Sequence, residues 1–106
     1  IEAWRLHLLD GLKQARDIAM SGGTVPRALQ HQARRNQVRA VRRAAEAAQT
    51  VFGTVGGNVA RTSSPIQRFY RDVSVAMCHA CNVDAPVYAA QAAFMFGKPV
   101  PPGVIV

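Results

Sequence analysis

The sequence predicts an all-α domain, an antiparallel helical bundle of about four helices, and three observations carry that expectation. Nearly half of the 106 residues are hydrophobic, and Ala is conspicuous among them, which favours closely packed helices over a sheet of β-branched side chains. Apolar positions recur with a period of three to four residues in four stretches. Gly and Pro gather mainly in the connections between those stretches. At 11.4 kDa the chain fits one compact domain, 1–106. No apolar run reaches membrane-spanning length, and no signal-peptide pattern is present. The chain opens on Ile1 instead of Met, which suggests an excised segment.

The first helix is expected from Ile1 to about Met20, with Ile1, Trp4, Leu8, Leu12, Ala15 and Ala19 on its inner face. Gly11 should weaken it slightly, and Ser21-Gly22-Gly23 should end it through a left-handed cap. Thr24-Val25-Pro26 starts the second helix, the longest, expected to reach about Phe52. Leu29, Ala33, Gln37, Ala40, Ala44, Ala47 and Val51 form a seam of small residues along it, suited to close helix approach. The opposite side carries Arg27, Arg34, Arg35, Arg39, Arg42 and Arg43, relieved by Glu46.

Gly53, Gly56 and Gly57 should break that helix and leave a polar loop to Ser63. Ser64 then reads as an N-cap, with Pro65 at the first helical position and Gln67 completing a capping box. On this third helix Ile66, Phe69, Val73, Ala76, Met77 and Ala80 form an apolar stripe. Arg68, Asp72, Val75 and His79 form a second, mostly polar one. Asp72 and His79 would stand about 10 Å apart on it. Asp84 or Ala85 should cap a fourth helix whose inner face is Val87, Ala90, Gln91 and Phe94. Gly97 ends it, and Pro99, Pro101 and Pro102 extend the tail towards Val104-Ile105-Val106.

The net charge of +7, thirteen Lys and Arg against six acids, suits nucleic acid, an anionic ligand or an acidic neighbouring surface. Nucleic acid is disfavoured, because no helix-turn-helix spacing and no aromatic platform accompanies the arginines. Cys78 and Cys81 lack the further ligands of a zinc site and the position of a redox pair, so they read as packing residues within the third helix, in a reducing compartment. His79 taken alone is most simply a half-buried helical histidine, and Arg68, Arg71 and Asp72 a structural ion pair.

The stretch from Gly56 to Asp72 sharpens this. Gly56-Gly57-Asn58, then a polar connection, then Pro65-Ile66-Gln67-Arg68-Phe69-Tyr70-Arg71-Asp72 resembles the C-terminal helical domain of the acyl-CoA dehydrogenase superfamily. The pattern there is Gly-Gly followed by Pro-x-Glu/Gln-Arg/Lys-x-x-Arg-Asp. Many members carry a catalytic Glu eight residues after the motif Asp, where this chain has Ala80, and a Gln three residues before the glycine pair, where it has Gly53. The departure, with His79 seven residues after Asp72, is similar to the flavin-dependent monooxygenase branch, the oxygenase components of two-component aromatic hydroxylases. The resemblance implies that His79 faces the flavin, stabilising the hydroperoxide formed from reduced flavin and oxygen or helping to deprotonate a phenolic substrate. It also implies that Gly56, Gly57 and Asn58 lie against the flavin, FMN or FAD. A separate flavin reductase, an aromatic substrate, a homotetramer and a cytoplasmic setting are further implications. So are missing N-terminal and middle domains, without which this segment should be inactive. An acyl-CoA dehydrogenase domain and a non-enzymatic basic helical module are the alternatives.

Overall fold

A computed structural model describes residues 2–104, all helix, turn and loop. Helix α1 spans Glu2–Met20, α2 Arg27–Thr54, α3 Pro65–Met77 and α4 Asp84–Met95. Two short 3₁₀ turns, Gly57–Ala60 and Ala80–Asn82, flank α3. The expected roles of Ile1 in the first helix and of Ile105 and Val106 in the tail lie outside the described residues.

Four helices form as the periodicity predicts, and their arrangement is set by α2. At 28 residues it is about 42 Å long, and α1, α3 and α4 each pack against it, with far slighter contact among themselves. Arg42 pairs with Asp84 at 2.9 Å, while His31 stacks on Phe94 with ring centroids 4.5 Å apart. The order of these contacts shows that α4 runs antiparallel to α2. The domain is elongated, 51 × 29 × 19 Å, with a radius of gyration of 17.0 Å. A compact chain of this length would have about 13 Å. Its accessible surface of 7328 Å² likewise exceeds the roughly 5,800 Å² expected for a monomer of this mass. The expectation of a compact unit is corrected accordingly: three helices attached side by side to one long helix enclose little.

The enclosed apolar core consists of Val38, Val87 and Ala90, between α2 and α4. Around it the inner faces differ from the periodic reading in instructive ways. On α1, Gly11 is the buried residue, and a Cβ added to it would meet the Ala33 Cβ at 3.9 Å. Expected as a weak point, Gly11 is a buried contact of α1 with α2. Leu12, expected inside, is 54% exposed. On α3, the half-buried residues Ile66, Tyr70, Val73 and Met77 face inwards, with Tyr70 stacked on Phe52 at 4.4 Å. Phe69 is 64% exposed instead, at the edge of the contact with α2. Between α2 and α3 runs an apolar groove of about 300 Å³ lined by Ala44, Ala47, Val51, Ile66 and Phe69. On α4, Val87, Ala90, Gln91 and Phe94 lie inside as expected.

The arginine side of α2 is used largely within the chain. Arg34 is buried and donates to Gln37 Oε1 at 2.8 Å, and Arg39 lies 4.4 Å from the centre of the Trp4 ring. Arg42 holds the start of α4 through Asp84. Asp84 is therefore the first helical residue and an ion-pair partner, where a cap was expected; the residue at the cap position is Val83. Because Arg42 is about half exposed and Asp84 about a fifth, Asp84→Asn should cost only about 0.5–1 kcal/mol, measured as a small fall in the thermal midpoint.

Candidate functional site

Gly53 does not stop α2, which continues to Thr54. The Thr54 hydroxyl donates to the Val51 carbonyl at 2.9 Å, and the chain turns only at Gly56. There φ is +73° and ψ 176°, an extended backbone at positive φ that is nearly confined to glycine and costs a residue with a Cβ about 1–3 kcal/mol. Gly57 and Asn58 then open the first 3₁₀ turn, and the first amides of such a turn have no carbonyl partner inside it. A Cβ at either glycine would meet no atom within 4 Å, so this stretch of backbone is open to close approach. Gly56→Ala should destabilise by about 1–3 kcal/mol through its backbone alone. Gly57→Ala should be nearly neutral for stability, and thermal unfolding of the two variants separates backbone strain from lost space.

The connection ends at Ser64, whose extended backbone precedes α3 and whose amide donates to the Arg61 carbonyl at 2.9 Å. The expected capping box does not form, since the Ser64 side chain makes no cap hydrogen bond. Pro65 occupies the first turn as expected, where its missing N–H leaves one donor fewer to satisfy. Arg68 and Arg71 both reach Asp72 through their Nε atoms at 3.6 Å, and all three side chains are more than half exposed. The ion pair thus exists as an outward-facing cluster and does not fasten α3 to the other helices of this chain.

The largest correction concerns His79. Helix α3 ends at Met77, with Cys78 as its last cap residue, so His79 is not on the helical stripe with Asp72. The Cys78 amide donates to the Val75 carbonyl at 3.0 Å and the His79 amide to the Ala76 carbonyl at 3.2 Å, tightening the final turn. His79 then adopts an extended backbone, φ −69° and ψ 135°, and the second 3₁₀ turn follows. Cys78 and Cys81 lie in this exit and not in mid-helix; both are free thiols, Cys78 exposed and Cys81 half-buried. Among the described residues no group of three potential ligands could hold a metal ion.

Within the exit, the Cys81 amide donates to His79 Nδ1 at 3.2 Å. An imidazole nitrogen that accepts a hydrogen bond carries no proton, so the neutral ring bears its proton on Nε2. The His79 side chain is exposed in this chain and presents that N–H outwards as a donor. Ala80 is also exposed and has no group to accept a proton. The glycine turn precedes α3 and His79 follows it, and the 13-residue helix between them is roughly 18 Å long.

Comparison with known proteins gives a consistent picture. The family model described as acyl-CoA dehydrogenase, C-terminal domain, matches residues 1–84. The chain is 33% identical over 98 residues to a flavin-dependent monooxygenase, oxygenase subunit HsaA, from Rhodococcus jostii RHA1, covering 92% of this chain and 25% of that protein. It is 34% identical over 90 residues to a pigment production hydroxylase of Rhodococcus erythropolis, covering 85% and 23%. Among solved structures, the 3-HSA hydroxylase from Rhodococcus sp. RHA1 superposes with a TM-score of 0.89 at 30% identity, over 94% of this chain and 26% of that one. The HsaA monooxygenase from Mycobacterium tuberculosis does so at 0.88 and 30%, over 97% and 27%. The chain therefore spans about a quarter of the length of these relatives.

Proposed function

Because this chain belongs to the acyl-CoA dehydrogenase C-terminal domain family, we propose that it serves as the C-terminal domain of the oxygenase component of a two-component flavin-dependent monooxygenase. The complete protein would hydroxylate a phenolic substrate, using FMN or FAD reduced by a separate reductase. One observation carries this reading above dehydrogenation: the turn after α3 offers the His79 imidazole, with its outward N–H, beside an alanine where a dehydrogenase needs a carboxylate base. The likeness to oxygenase subunits supports it.

The residues present fit a flavin. Around Gly56, Gly57 and Asn58 the exposed backbone suits a phosphate or ring edge, since amides without partners and an absent Cβ allow contact. His79 would hold a hydrogen bond to the reacting end. Reduced flavin, when bound, supplies the electrons that activate dioxygen; the imidazole places a donor where negative charge develops on oxygen. With α3, roughly 18 Å long, between them in the chain, they would meet different parts of one extended flavin or flavins of neighbouring subunits.

A homotetramer accounts for the uncovered apolar surface. Leu6, Leu9 and Leu12 on α1 and Phe69 and Val75 on α3 are each 46–67% exposed, in keeping with faces that other domains or subunits cover. No helix among the described residues is long and apolar enough to cross a membrane. The two free thiols fit a reducing, cytoplasmic setting. Arg34 is buried and Arg39 packs on Trp4, which takes part of the basic face away from the basic-module alternative, while Arg27, Arg42 and Arg43 stay exposed. Full-length protein supplied with chemically reduced flavin, oxygen and a phenol should yield hydroxylated product. Oxidation of an acyl-CoA with a dye acceptor, and no hydroxylation, would overturn the reading.

A further inference from the structure

One side chain spans the exit from α3. Asn82 Nδ2 donates to the Ala76 carbonyl at 2.8 Å, and the Asn82 backbone amide donates to the His79 carbonyl, also at 2.8 Å. The Ala76 carbonyl in turn accepts from the His79 amide. Asn82 therefore ties the last turn of α3 to both ends of the segment that bears the imidazole. It is half-buried, and its 3₁₀ turn packs on α2, so the bridge is anchored on the long helix. The bond from the Cys81 amide to His79 Nδ1 stays within the turn, and that from Cys78 Sγ to the Ser74 carbonyl at 3.6 Å runs back along α3 and does not cross it.

We propose that Asn82 is a positioning residue for His79, and this rests on the reading of His79 as the group that acts on the flavin. Holding residues 79–82 in register keeps the Cys81 amide against Nδ1, which fixes the ring and leaves the proton on Nε2. Without the bridge the Cys81 amide leaves Nδ1, the ring turns freely, and either nitrogen can carry the proton. The outward donor is then no longer held in one direction. Asn82 touches neither flavin nor substrate in this arrangement; it acts through the imidazole.

The sharpest variant is Asn82→Asp, nearly the same shape, in which a carboxylate oxygen replaces the donor opposite the Ala76 carbonyl. Asn82→Ser removes the reach without adding charge and stands in should the charged variant fold poorly. In the full-length protein, amide hydrogen exchange of the segment around residues 79–82 should quicken about fivefold, the other helices being unchanged. Hydroxylation per flavin oxidised should fall and peroxide release rise, and in a His79→Ala background the same substitution should add nothing. Unchanged exchange at 79–82 overturns the proposal at its structural root, whatever the activity. Faster exchange with coupling intact in the Asn82 variants, while His79→Ala uncouples, shows a bridge that does not position the ring and overturns it too. If His79→Ala itself leaves coupling untouched, the reading of His79 fails and carries the proposal with it. That outcome is told apart from the others by the single His79 variant.

Discussion

His79→Ala in the full-length protein is expected to lower the rate of hydroxylation about 100-fold while flavin oxidation continues, the difference leaving as hydrogen peroxide. The magnitude is that of losing one well-placed donor or proton-transfer group at a reacting centre. The argument is local. His79 is exposed in this chain, and its ring makes one hydrogen bond, accepting from the Cys81 amide. Its removal therefore should leave the helices folded, with a stability cost of about 1 kcal/mol. His79→Gln restores an amide donor of similar reach and should recover part of the coupling. Product, peroxide and oxygen measured in the same reaction give the partition directly. Equal coupling in His79→Ala and the parent would remove the imidazole from the chemistry.

The second large effect concerns folding. Val38 has no exposed surface and lies in the core with Val87 and Ala90. Val38→Asp would bury a carboxylate in that core, at a cost of about 3–5 kcal/mol, much of the margin of an ordinary domain. Val38→Ala removes only methyl groups and should cost about 1–2 kcal/mol. Thermal unfolding of the two variants tests the difference. A Val38→Asp protein as stable as the parent would mean that α4 does not close over this position.

Much of this fold could be read from the residues, and the failures have definite causes. The four helices, the Gly22 and Gly97 terminations and the inner face of α4 follow from periodicity and from glycine's tolerance of positive φ. The placement of Gly11 inside and Phe69 outside does not. Periodicity records which residues are apolar, whereas contact with one long helix selects the smallest residue at a buried contact and leaves a large one for a surface beyond this chain. Gly53 was an overestimated signal, since one glycine costs an exposed helix only about 1 kcal/mol. The glycine pair and the Arg-Asp motif were legible as a pattern. What could not be read was the end of α3, because Cys78, His79 and Ala80 contain no Gly or Pro. The informative residue is Asn82, a type prone to bond nearby carbonyls.

The dependence of α1, α3 and α4 chiefly on α2 bears on how this unit comes apart. A domain whose outer helices lock against one another unfolds as a whole, but here each can detach while its neighbours stay bound. Substitutions on the α1 and α4 contacts should therefore add in free energy. Damage to α2 should be felt by all three attachments at once, so that its tolerance of mutation is the narrowest in the chain.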